Sequence, residues 1–202
     1  MRFFESVHGW LETLSRVAVW VGGASLMLAA IMVTVDVICR KFLGVTMSGS
    51  DEISGYVFAA STTWAYSYCL LHRANVRIDA AYNYFPVWLR ALLDVVGLAL
   101  LLAFMAYLTD KAIDVFVTSW QRNSVSITTL ATPQWIPQLA WVTGLVMFVI
   151  TGTFLLAYAL VSLLRGDVAT VQRVAGAMNV EEEIAEGTQG MEVAKRGREE
   201  PR

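Results

Sequence analysis

The chain has 202 residues, of which 56% are hydrophobic and only 16% charged, with a formal net charge of −2. A soluble domain carries roughly a quarter of its residues as Asp, Glu, Lys and Arg, and the shortage here is uneven: residues 1–165 hold ten basic and nine acidic side chains, residues 166–202 five basic and eight acidic. An apolar body of charge +1 and a polar tail of −3 exclude an ordinary soluble enzyme domain, a wholly disordered chain and a basic nucleic-acid binder, so a bilayer and no nucleic acid is the expected surrounding.

In chain order, residues 1–15 place Phe3, Val7, Trp10 and Leu14 at helical spacing, with Glu5, Ser6, His8 and Glu12 between them. This predicts a short amphipathic helix lying on the membrane surface; the alternative is a plain extension of the first span. That span runs from about Val17 to Cys39 with Asp36 as its one charge, and continues to Arg40 without the small-residue site of a cleaved signal peptide. The second, Ile53 to Leu71, is uncharged but rich in small and hydroxyl residues, and Ser48, Ser50, Asp51 and Glu52 ahead of it supply a cap and first-turn carboxylates. The third runs from about Val87 to Thr109 behind Pro86. The fourth runs from Trp135 to Leu164, behind a Thr132-Pro133 start signal.

Continuous apolar runs of this length are helices, not barrel strands. The fold class is therefore an all-α integral membrane protein: an interfacial helix over 1–15, four transmembrane helices over 16–165, and a polar, disordered tail over 166–202. In the short loops, Arg2, Arg16, Arg73, Arg77, Arg90, Arg165 and Arg173 on one side outnumber Arg40, Lys41, Lys111 and Arg122 on the other. This places both termini in the cytoplasm.

Chemistry-bearing clusters are scarce. Cys39 and Cys69 fall at opposite faces and cannot pair, and His8 and His72 sit near one interface rather than facing each other across a haem. No nucleophile–base pair or metal spacing is present, so no catalytic, cofactor-binding or metal-binding residue is assigned. Charges in membrane helices are costly and require partners. Asp36 with Arg40, and Arg90 with Asp94, are each four apart and can bridge along one face; alternatively one of each pair contacts another protein, Asp36 being the better candidate. Gly55 and Ala59, four apart, and Gly144 and Gly152, eight apart, mark close helix approach, either within the chain or against another membrane protein.

The loops carry a resemblance. VDVICRKFLGVTMSGSDEISGYVF, with Arg40, Ser50, Asp51 and Glu52, resembles the first hairpin of the small, DctQ-like permease subunits of tripartite ATP-independent periplasmic (TRAP) transporters. There an Arg closes the first helix and a Ser/Thr–acidic–Glu step opens the second. LLHRANVRIDAAYNYFP is similar to that family's basic turn through Arg73, Arg77, Asp79 and Pro86, with Asn75 where the family usually has His. TPQWIPQLAWVTGLVMFV resembles its proline–tryptophan start and glycine-bearing helix.

The resemblance covers roughly residues 15–165 and implies ion-driven import of an organic acid. A periplasmic binding protein delivers the substrate, and a large multispanning permease holds the substrate and sodium sites. The small subunit enlarges the static scaffold. It also implies that Arg40, Asp51 and Glu52 orient the first hairpin or touch the binding protein, and that Arg73, Arg77 and Asp79 face cytoplasm and lipid headgroups. A membrane anchor of a redox complex stays as the alternative reading.

Overall fold

The computed structural model describes residues 2–74, 85–176 and Thr188. The order is α1 (Arg2–Phe42), α2 (Ser50–Leu71), α3 (Val87–Gln121), α4 (Trp135–Leu164) and α5 (Val168–Ala175). The described residues contain no strand, only an isolated bridge between Val125 and Pro133. Among the described residues three helices are long and apolar enough to cross a membrane: Ser6–Phe42 of α1, α3 and α4. The hydroxyl-rich α2 is 22 residues long, but its Ser, Thr and Tyr side chains lower its hydropathy below theirs.

The helices pack as a row rather than a closed bundle. α1 lies on α2, α2 on α4, and α4 on α3, while α5 covers one end of the α3–α4 pair. The buried apolar cluster forms where α3 and α4 meet. Ala91, Val95, Leu98 and Met105 pack with Leu145, Phe148, Leu155 and Ala159, joined by Leu70 of α2 and Val171 of α5. α1 adds no residue to that cluster, and Trp20, Leu28 and Ile31 on its outer side are exposed. Large apolar surface turned outward in a single layer of helices belongs against lipid or another membrane protein.

Three element boundaries differ from the sequence expectation, each for a local reason. No break separates the segment expected as an interfacial helix from the first span, because α1 continues from Arg2 to Phe42. No proline interrupts the junction, and Arg16 pairs with Glu12 one turn back at 2.6 Å across it. α3 runs twelve residues past Thr109, because Lys111 neutralises Asp110 at 2.8 Å and Asp114 at 2.9 Å on the helix surface. The folded part also passes residue 165. Asp167 caps α5 by accepting from the Thr170 amide at 3.1 Å, and the Val171 side chain is fully buried. The remainder of the expected tail, apart from Thr188, lies outside the described residues.

Candidate functional site

At the end of the row where α1 meets α2, the Asp36 side chain is 1% exposed and bonded throughout to its own chain. One carboxylate oxygen accepts from the Thr46 hydroxyl and the Met47 amide; the other accepts from the Arg40 guanidinium at 2.6 Å and the Ser50 hydroxyl at 3.0 Å. A carboxylate has about four acceptor positions, and the turn between the two helices fills them. Asp36 therefore closes the α1–α2 hairpin. Arg40 is the outward member, with 56% of its side chain exposed.

The expected Ser50 cap does not form. Its hydroxyl goes to Asp36, while the residue before α2 is Gly49 at φ 97°, a left-handed conformation that favours glycine. A Cβ on Gly49 would also collide with the Leu130 side chain, which folds over the turn from the α3–α4 connection.

That connection, residues 122–134, is an ordered clasp. Its arms are joined by Ser126 N–H to the Thr132 carbonyl at 2.9 Å and Gln134 N–H to the Ser124 carbonyl at 2.9 Å. Pro133 stands in the bridge with Val125, so the Thr132-Pro133 signal does not start α4, which begins at Trp135. The clasp grips α2 through Glu52: the Thr128 hydroxyl donates to one oxygen, and the Tyr56 hydroxyl to the other at 2.6 Å. Gln134 donates to the Tyr56 oxygen at 3.2 Å, and Ser48 and Thr129 share a hydroxyl hydrogen bond. Glu52 stands ahead of the apolar run that begins at Ile53. The Thr128 hydrogen bond above all, then that of Tyr56, holds its carboxyl below the ordinary carboxylate range.

Asp51, beside it, is exposed, and Ile127 at the tip of the clasp is completely so. Thr128, Thr129 and Gln134 were not singled out from the sequence. Their signal is a polar, Thr-rich stretch whose partners lie more than 75 residues earlier.

The small residues divide into two groups. A Cβ on Gly144 would lie 2.7 Å from the Thr63 carbonyl carbon, so α4 rests on the α2 backbone there. Gly152 faces the Leu102 and Leu70 side chains. Gly55 and Ala59 are exposed, with open space beyond Gly55. The α1–α2 approach is made instead by Gly22 against Ser61, whose hydroxyl donates to the Gly22 carbonyl at 3.0 Å. The paired glycines Gly22 and Gly23 were its available signal.

At the opposite end Arg73, at φ 52°, extends its guanidinium toward the Gln172 carbonyl of α5 at 3.5 Å. Arg90 donates to the Phe85 carbonyl at 2.7 Å, and Asp94 is buried. Asn75, Arg77 and Asp79 lie outside the described residues. Cys39 and Cys69 are both free thiols. Among the described residues no three His, Cys, Asp or Glu side chains converge as a metal site.

The hairpin closed by Asp36, the helices α2, α3 and α4 and the glycine seam on α4 all fall within the stretch matched by one family model, which takes in only the last part of α1. It is that of the tripartite ATP-independent periplasmic transporters, DctQ component, over residues 29–166. The chain belongs to the DctQ family. As a DctQ component it is a small membrane component of a TRAP transporter, and DctQ is a transporter component rather than an enzyme family. DctQ components function with a large permease, DctM, and a periplasmic binding protein. The matched stretch contains the whole Glu52 clasp and stops just before α5. Comparison with curated proteins and with solved structures gives no match.

Proposed function

We propose that this DctQ component is the fixed membrane scaffold of its transporter. It braces the large permease for sodium-coupled uptake of an organic acid that a periplasmic binding protein delivers. On this reading α2 is a fourth span, both termini are cytoplasmic in the bacterial inner membrane, and the Asp36–Glu52 end faces the periplasm.

The observation that carries the reading is the way polar groups are used at that end. Asp36 and Glu52 are occupied in locking the α1–α2 turn to the α3–α4 clasp. Arg40, Asp51 and Ile127 point outward from this rigid platform. Such an arrangement suits a docking surface held in fixed geometry, since preorganised groups lose little entropy on binding. On this reading the substrate and sodium sites belong to the large permease.

The test is uptake of a candidate organic acid by proteoliposomes containing both membrane subunits and the binding protein. Uptake should require a sodium gradient and this chain. Undiminished sodium-driven uptake by the large permease and binding protein alone would reject the scaffold role.

A further inference from the structure

α1 and α4 both rest on α2, and the contacts that seat them there leave a furrow between them. Gly22 sets α1 against Ser61 and Gly144 sets α4 against Thr63, so the following α2 side chain, Trp64, lies between two helix walls. The furrow is an open groove of about 360 Å³. Leu14, Val17 and Val21 of α1 form one wall, Thr143 and Met147 of α4 the other, and Trp64 the floor. The polar atoms of this lining are turned to their own chain. The Trp64 indole N–H donates to the Ala140 carbonyl at 2.8 Å, and the Thr143 hydroxyl donates to the same carbonyl at 2.7 Å. A polar group placed in the groove would go unpaired, so its occupant is apolar along its length.

The dimensions narrow the choice. From Leu14 to Val21 the wall rises about 10 Å, so the volume corresponds to a slot about 6 Å across, whereas a helix with its side chains is about 10–12 Å wide. A neighbouring helix would lie over such a slot and leave much of its floor bare, and walls without partner atoms forfeit their dispersion contacts. A single hydrocarbon chain follows it to the floor. The stretch of this chain from Glu181 to Arg202 is rich in Glu and Arg and does not suit an apolar slot. Trp10, 65% exposed, lies one turn before Leu14 on the same face of α1. An indole at that end of the groove belongs where lipid chains meet their headgroups.

We propose that the groove between α1 and α4 holds one acyl chain of a phospholipid as a resident part of the fold, with the glycerol end toward Trp10. The chain gives α1 a second neighbour. α1 adds no residue to the buried cluster and packs on the row through α2, so a hydrocarbon chain between Val17 and Met147 joins it to α4. Bilayer hydrocarbon is as apolar as the groove, so the chain is retained by close fit and dispersion rather than by a hydrophobic driving force. A slot with a floor and two walls supplies more of those contacts than the open outer side of α1, where Met27 and Ile31 are exposed.

The test places the full chain, with its large membrane subunit, in vesicles containing a phosphatidylethanolamine that carries a diazirine in one acyl chain. The complex is extracted into detergent, washed free of loose lipid and irradiated, and the adducts are mapped by mass spectrometry. The expected result is several-fold more adduct at Leu14, Val17, Val21 and Met147 than at Met27 and Ile31. Ala18→Trp, or Val21→Phe as a milder filling of the slot, should abolish the groove adducts while the complex is still recovered. Equal labelling of both sides of α1 overturns the proposal, because the groove is then ordinary bilayer surface. So does the absence of groove adducts in the natural chain, the result expected if a protein segment fills the slot, or their persistence in a folded, filled variant.

Discussion

The Asp36 carboxylate accepts from the Ser50 hydroxyl at 3.0 Å, joining the last turns of α1 to the first residue of α2. Arg40 and the Thr46–Met47 turn complete its shell, so the carboxylate is an internal fastening of the hairpin. Asp36→Ala strands the buried Ser50 hydroxyl and leaves the Met47 amide and Thr46 hydroxyl without their acceptor, whereas Arg40→Ala removes a half-exposed partner. The expected losses are about 2–4 kcal/mol and about 1 kcal/mol respectively. Thermal unfolding of the two variants in detergent measures the order, and a larger effect of Arg40→Ala would contradict this assignment.

The seam between α2 and α4 gives a sharper contrast between small residues. Gly144→Val drives methyl groups into the Thr63 backbone and should lower the unfolding temperature strongly or prevent folding. Gly55→Val, which meets open space, should leave the stability of the chain within about 0.5 kcal/mol. If that variant is stable but fails to assemble with the large permease, the Gly55–Ala59 face is a contact with it.

A pH dependence follows from Glu52. Its folded-state pKa lies below the unfolded value, so the stabilisation from Thr128 and Tyr56 is present above the ordinary carboxylate range and is lost as pH falls through the lowered value. Unfolding temperature followed from neutral to acidic pH should therefore fall more steeply for the natural chain than for Glu52→Gln. Parallel curves would show that this carboxyl does not hold the clasp as a charged group.

The short α5 depends on its cap and on one buried side chain. Asp167→Ala should cost about 1 kcal/mol through loss of the Thr170 amide bond. Val171→Asp, which puts a carboxylate into the apolar cluster, should release the helix altogether. Limited proteolysis between residues 166 and 176 reads both, with faster cleavage in Val171→Asp than in Asp167→Ala.

How much of this was legible in the sequence depends on range. The long apolar runs announce their helices because a helix of that length satisfies its own backbone wherever it lies. Helical spacing also marks a face, but not the neighbour it meets: Gly22, Gly23 and Gly55 are alike as small residues in apolar helices, yet of these three a Cβ meets another helix only at Gly22. Ser50 reads as a cap from its neighbours, but Asp36, fourteen residues earlier, is the stronger acceptor. The Glu52 clasp joins residues 76 apart through the Thr128 hydroxyl, and no local pattern encodes such a bond. The end of α3 escaped because Asp110, Lys111 and Asp114 look like a boundary until their mutual pairing is seen.

The central claim is that this chain braces a larger membrane subunit, and affinity purification of the tagged full-length chain from membranes in mild detergent tests it most directly. The account predicts recovery of a multispanning DctM-type permease with the natural chain, and its loss from the Gly144→Val variant, whose platform is disrupted. Recovery of the natural chain free of any large membrane partner, from membranes that contain that permease, would contradict it.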